Sequence, residues 1–284
     1  MRRNEEDEIE VLGTLLRRRE KGKAVWVGLS ALCLLLLLGG VVWLGGSSEN
    51  EELSEEETTE TEQPVIVASD TLSRKTSSIV LSVDSINDVK IRMYALHGLS
   101  VRLSLDLPDK GDTTLLLVVQ AADIRRDNGG IVGDFVLRGE RLSRGKRKSG
   151  YCAIRDGQVV LGNAVDDDMM EQCIQQKGDF FRQYPLVMNG EIQENRLKGK
   201  ALRRALARQG GNLYFVESCN HESVYDFSEA LVDFGFSEAL YLVGGSAYGW
   251  WRETDGTVHE LGKQDTYISK PNLNYLLFCR TESH

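Results

Sequence analysis

Residues 25–46 run for 22 positions without a charged side chain, and 34–38 are all leucine. As a helix rising about 1.5 Å per residue, this stretch reaches about 33 Å, enough to cross a hydrocarbon core of about 30 Å. The apolar region of a secretory signal is shorter, about 7–15 residues. Trp26 and Trp43 stand near the two ends, where aromatic rings anchor at membrane interfaces. The run is apolar on every face, so a single-pass transmembrane helix is expected rather than an amphipathic core helix. Arg17, Arg18, Arg19, Lys21 and Lys23 precede it, and only acids follow closely. The positive-inside rule then places the N-terminus in the cytoplasm. The expected location is the inner (plasma) membrane, with the C-terminal domain periplasmic or extracellular.

The flanks are not globular in composition. Residues 1–24 read as a charged cytoplasmic tail, with Ile9, Leu12, Leu15 and Leu16 at rough helical spacing. Residues 47–63 hold eight glutamates and no base, which makes an acidic disordered linker extended by self-repulsion. Those glutamates account for nearly all of the net charge of −9. The remainder is close to neutral, so bulk charge gives no reason to expect a nucleic acid partner. One folded domain is left, 64–284. It holds Cys152, Cys173, Cys219 and Cys279, with no C-x-x-C spacing for a metal. An oxidising compartment permits bridges among them, and buried free thiols are the alternative.

Strand signals dominate this domain. Residues 65–68 and 79–83 are short β-rich runs. Val89, Ile91 and Met93 alternate with Lys90 and Arg92, and Val101, Leu103, Leu105 and Leu107 alternate with polar residues. Period-two alternation means one buried face. Asn87-Asp88 and Asp156-Gly157 are turn signals between such strands. The runs 115–119, 213–216, 240–243 and 275–278 are apolar throughout and suit central strands. Helices are fewer. Asp166, Asp167 and Asp168 precede a helix at 169–177 and suit its first turn, a metal being the alternative reading. Phe227, Ala230, Leu231 and Phe234 form a helical stripe that Asp226 or Ser228 would cap and Gly235 would end. The fold class expected is α+β, a mixed or antiparallel sheet core with few helices, after one N-terminal transmembrane helix.

No phosphate loop, zincin, dinucleotide or nucleophile-elbow motif is present, and the histidines are scattered. What remains is polar groups at strand ends. Residues 179–190 place Arg182 before an apolar strand ending in Asn189-Gly190. Arg203 and Arg204 open another strand-like run. Residues 242–246 end a buried strand in Gly244-Gly245-Ser246, where glycines let a ligand approach the backbone.

Together these segments resemble the phosphodiester glycosidase family, which includes the lysosomal uncovering enzyme and bacterial envelope proteins. The run 185–190 is similar to the family's Pro-Leu-Val-like strand ending in Asn-Gly. Residues 203–207 are similar to its Arg-Thr-Ala-Ile-Gly strand, 234–240 to its Leu-Gly-x-x-x-Ala-Leu step, and 242–246 to its Leu-Asp-Gly-Gly-Gly-Ser end. Asp127-Asn128-Gly129-Gly130 is a looser match to an Asn-Gly-Gly-Phe-Phe segment. Val243 stands where the family has aspartate, Arg204 where it has threonine and Ala207 where it has glycine.

The resemblance implies hydrolysis of a sugar-1-phosphodiester in envelope or exported glycans. A planar guanidinium suits the phosphate, so Arg203, with Arg182 as second choice, is the expected binder. Asn189, Gly190, Gly244, Gly245 and Ser246 complete the expected substrate site. Asp123 and Glu217 are the expected carboxylates, because glycoside cleavage commonly uses two. No metal site is expected and any cofactor is left open. The rival reading is a non-catalytic glycan- or protein-binding module, with Tyr248, Trp250 and Trp251 as an aromatic platform. The basic loop 141–148 reads as a solvated hairpin tip.

Overall fold

The computed structural model describes residues 77–145, 148–264 and 272–281. The expected membrane run 25–46, tail 1–24, linker 47–63 and strand 65–68 lie outside them. Among the described residues no helix is long and apolar enough to cross a membrane.

Among the described residues, seventeen strands and two helices follow Ser77. In order they are β1 Ser78–Ile86, β2 Val89–His97, β3 Leu99–Ser104, β4 Leu115–Gln120, β5 Phe135–Leu137, β6 Glu140–Ser143, β7 Gly150–Arg155 and β8 Gln158–Asn163. Helix α1 Asp168–Gln175 is followed by β9 Asp179–Gln183, β10 Pro185–Met188, β11 Glu191–Ile192, β12 Arg204–Gln209 and β13 Asn212–Ser218. Helix α2 Val224–Asp233 precedes β14 Glu238–Leu242, β15 Gly249–Arg252, β16 Val258–Leu261 and β17 Tyr275–Arg280. They form a seven-stranded sheet (β1-β2-β13-β12-β14-β10-β11) and two five-stranded sheets (β16-β15-β4-β17-β3 and β6-β5-β9-β7-β8). The ladders are antiparallel, which fits the α+β expectation in its antiparallel form.

Hairpin turns set the register. Asn87-Asp88, Arg138-Gly139, Asp156-Gly157, Asn189-Gly190 and Gly210-Gly211 each join adjacent strands with both residues left-handed. That conformation matches strand twist and needs asparagine, aspartate or glycine in most cases.

The main core lies where the three sheets meet. It takes Tyr94, Phe215, Leu206 and Leu240 from the first, Leu117 and Phe278 from the second, and Phe135 and Phe181 from the third. The apolar runs expected as central strands hold that place: β4, β13, β14 and β17 each lie between two neighbours. Helix α2 covers the other face of the seven-stranded sheet with Phe227, Ala230 and Leu231. Its cap is Ser223, whose hydroxyl accepts the Asp226 N–H at 3.0 Å, and not Asp226 or Ser228. Gly235, at φ 87°, ends it as expected. Its N–H bonds Val232 O, and the next N–H, of Phe236, bonds Leu231 O, closing a Schellman turn. Helix α1 packs on the third sheet with Met170 and Cys173. The residue at its N-cap, Asp167, makes no capping bond, but Asp166 Oδ1 accepts the Asp168 N–H at 3.3 Å, and Asp168 stands in the first turn, where the helix dipole favours an acid. No metal-binding cluster occurs among the described residues. Cys152, Cys173, Cys219 and Cys279 are all free thiols.

Candidate functional site

Strand β9 belongs to the third sheet and β10 to the first, with only Tyr184 between them. This near-continuous strand brings the ends of all three sheets together. Gly150, at the start of β7, makes the crossing possible. A Cβ there would lie 2.7 Å from Gln183 O, from Pro185 N and from Leu240.

Asp123, just beyond the end of β4, faces this junction. The Lys148 ammonium donates to Asp123 Oδ2 and, at 2.8 Å, to Gln183 Oε1. It also sits 4.9 Å from the centroid of the Tyr184 ring, a cation–π contact. Lys148 is buried, and burial lowers its pKa below the ordinary lysine value while the Asp123 charge works against that fall. The expectation that 141–148 is a solvated tip therefore fails at both ends. Arg141 pairs with buried Asp134 at 2.6 Å, and Lys148 is enclosed. A basic run looks solvated in sequence. Only packing against Gln183 and Tyr184 reveals the difference.

Tyr241 on β14 forms the other wall. Its ring meets Tyr184 edge-on at 6.3 Å, and its N–H bonds Tyr184 O at 2.9 Å. Burial raises its phenol pKa, and the Asp123 charge adds to the rise, while the Arg203 guanidinium and the Gly244 N–H at the phenol work the other way. Arg203 is buried. Its Nε donates to Glu222 O at 2.8 Å and its Nη2 to Gly199 O. The turn at 244–246 is pinned beside it, since Gly245 N bonds Leu202 O at 2.8 Å. Gly244 leaves room for the chain's own backbone, because a Cβ there would meet Leu202 O at 2.3 Å. Gly245, at φ 63°, has open space at its Cβ position. Ser246 O accepts from Lys263 N. Asp123, Arg203, Gly244, Gly245 and Ser246 thus belong to one region, joined by Lys148, Gln183, Tyr184 and Tyr241, which sequence reasoning missed.

The other expected residues lie elsewhere. Asn189-Gly190 is the β10–β11 hairpin turn beside Ser237, next to Glu238 at the start of β14. Arg204 pairs with Leu242, four residues further along that strand, or about 13 Å at strand spacing. The Asn-Gly turn and Arg203 therefore sit at opposite ends of the strand. Arg182 is fully enclosed. It donates to Asp134 Oδ2 at 2.8 Å, Ala164 O at 2.6 Å, Asp166 O at 2.5 Å and Asp167 Oδ1 at 3.4 Å, so its fork is spent on holding a loop. Burial raises the pKa of Asp134, but bonds from Arg182, Gly145 N–H and Arg141 outweigh it, and the net direction is down. Glu217 accepts from Arg204 Nε at 2.8 Å and Arg92 Nη1 at 3.3 Å. Arg204 aligns with Leu242 and Glu217, whereas Tyr241 is one residue out of phase and faces α2. Glu217 is thus on the opposite face of the sheet from Tyr241 and does not pair with Asp123. Tyr248, Trp250 and Trp251 are buried in the core, which removes the aromatic platform.

A cleft of about 490 Å³ opens at the far end of the sheets, lined by Leu96, His97, Val101, Arg208, Leu213 and Phe278 among others. It holds no carboxylate, and Arg208 is engaged by Glu238 and by the carbonyls of Val159 and Gly211. The chemistry-bearing groups are at the three-sheet junction instead.

The fold is shared with a phosphodiester glycosidase catalytic domain. The chain superposes on the zebrafish N-acetylglucosamine-1-phosphodiester α-N-acetylglucosaminidase catalytic domain, auto-inhibited by its pro-peptide, with a TM-score of 0.51 over 73% of this chain and 83% of that one. Sequence identity is 14%. A hypothetical protein from Synechocystis gives a TM-score of 0.55 at 12% identity, over 72% of this chain and 62% of that one. No family pattern and no curated protein sequence matches the chain. The relationship is one of fold, and function rests on the site.

Proposed function

We propose that this chain is a membrane-anchored, phosphodiester glycosidase-like protein. It is held in the plasma membrane by residues 25–46 with its tail in the cytoplasm, and it acts on sugar-1-phosphodiester linkages of envelope or exported glycans. One observation carries the reading: the Asp123 carboxylate, partly open to solvent, is fixed by buried Lys148 at the junction that also holds Tyr241 and Arg203. Two cations and one carboxylate leave a surplus positive charge, which suits a phosphodiester monoanion.

The chemistry needs only one carboxylate. Asp123 takes a proton from water as the water oxygen bonds to the anomeric carbon. The carbon–oxygen bond to phosphate breaks, and its electron pair leaves on the phosphate oxygen. A phosphate monoester is a stable anion, so it departs without the acid that an alcohol leaving group requires. Arg203 and the Tyr241 phenol stabilise the growing charge on that oxygen. Turnover of a sugar-1-phosphodiester by the full-length protein, abolished in Asp123→Ala, tests the reading. Undiminished turnover in that variant rejects it.

A second reading is a binding module of the same fold. It is favoured by Val243 at the position of the family's aspartate and by the two Arg203 donor groups held by backbone carbonyls. Binding of a sugar phosphodiester without turnover by the wild-type protein selects it.

A further inference from the structure

Six large apolar side chains of the described residues are exposed, and three of them, Val80 (54%), Leu81 (39%) and Val83 (49%), fall on four consecutive residues of β1. This strand ends the seven-stranded sheet. Its sequence, SIVLSVDSI, has no lysine and no proline and carries one charge, Asp84, and it pairs with β2 over nine residues without a bulge. Edge strands of monomeric proteins are normally blunted by devices such as lysine, proline or a bulge. We propose that β1 is the self-association edge of this protein, pairing antiparallel with β1 of a second copy about a twofold axis at Ser82.

The hairpin geometry fixes which groups face outward. Asn87-Asp88 is a two-residue turn with both residues left-handed, so Ile86 and Val89 form the closing hydrogen-bonded pair. Hydrogen bonding to β2 then alternates back along β1 through residues 84, 82, 80 and 78. The free N–H and C=O groups point outward at Ile79, Leu81, Val83 and Ser85. A twofold axis through Ser82 sets Leu81 opposite Val83 of the second copy, and Ile79 opposite its Ser85. All four residues are of the outward-facing kind, so each such pair closes two hydrogen bonds and none falls out of phase.

The side chains agree with the same register. Leu81 and Val83 share a face with Ile79, which is buried in the main core, so pairing extends that core across the twofold axis. Asp84, the only charge of β1, falls opposite Val80 of the second copy rather than opposite its own equivalent. Antiparallel self-pairing therefore sets no like charges against each other.

The register makes a positional test available. Ser82 meets Ser82 of the second copy as a non-hydrogen-bonded pair, with Cα atoms about 4.5 Å apart, within disulfide range. In full-length protein with Cys33 and Cys219 replaced by serine, Ser82→Cys is expected to give a disulfide-linked dimer under mild oxidation, and Ser85→Cys is not. Val83→Lys is expected to weaken association, read by light scattering across a concentration series, by about tenfold or more, with unchanged circular dichroism. A protein that is monomeric at every concentration overturns the proposal. So does protection of the outward amides of Ile79, Leu81, Val83 and Ser85 that does not depend on concentration, which would mean that the chain's own upstream segment covers the edge.

Discussion

The Lys148 side chain is 1% exposed, while the Asp123 carboxylate it binds is 33% exposed. The pair is therefore asymmetric: its cation is locked and its anion reaches solvent. Lys148 spends two of its three donors on Asp123 and Gln183, lies against the Tyr184 ring and is enclosed, so it is not presented to a ligand. Its role is to hold Asp123 in place and balance its charge. Asp123→Asn keeps the shape and removes that charge. Leaving a buried cation unpaired costs about 3 kcal/mol. The pH dependence follows from burial, which sets the folded-state pKa of Lys148 below the 10.5 of an unfolded lysine, with Asp123 opposing the fall. Within that window the unfolded chain binds more protons, so stability rises with pH, and losing Asp123 widens the window. Urea unfolding should show the deficit of Asp123→Asn at neutral pH and a shrinking one as pH rises toward 10.5. The double variant Asp123→Asn with Lys148→Met should recover much of the loss.

Arg203 joins scaffold and site. Its Nε and Nη2 bond the carbonyls of Glu222 and Gly199, while the guanidinium faces the Tyr241 phenol. Lysine preserves the charge and loses the fork. Arg203→Lys is expected to bind a sugar phosphodiester more than about tenfold more weakly, measured by calorimetry. Tyr241→Phe should keep the fold and weaken binding less. Equal affinity of Arg203→Lys and wild type would place the phosphate elsewhere.

Glu217 makes the converse prediction. It lies under two arginines on the far face of the sheet from Tyr241. Glu217→Gln leaves Arg204 buried without its counter-charge, which costs about 3 kcal/mol in a urea titration. Ligand affinity of the folded protein should stay within about twofold of wild type, since the site it would serve is on the other face.

What the sequence made legible and what it hid divide along a physical line. Local rules read well. Alternation at 89–93, the turns Asn87-Asp88 and Asp156-Gly157, the α2 stripe and Gly235 all follow from period and backbone conformation within a few residues. Sites depend on tertiary placement. Lys148 reads as one more base in a basic run, because its partner Gln183 lies 35 residues away in sequence. Glu217 and Arg203 each read as a polar group at a strand end. Only the register of β12, β13 and β14 puts them on opposite faces. Ser223, missed as a cap beside two other candidates, shows the ordinary error of a residue or two at helix ends.

Asn189-Gly190 shows how a turn signal can pass for a site signal. Asn189 has φ 54° and Gly190 φ 74°, the left-handed pair that a two-residue hairpin demands, and the Gly190 N–H bonds Ser237 O at 2.9 Å. Asparagine is suited to this conformation for backbone reasons, without a ligand. Asn189→Gly should therefore be close to neutral in stability. Asn189→Ala forces a Cβ into the left-handed region without the local hydrogen bonding that asparagine offers, at about 1 kcal/mol, read as a lower urea midpoint. Neither variant should change sugar phosphodiester binding, because the turn is at the far end of β14 from Arg203 and Tyr241. A loss of binding in Asn189→Gly with unchanged stability would return the turn to the site and move the ligand away from Asp123.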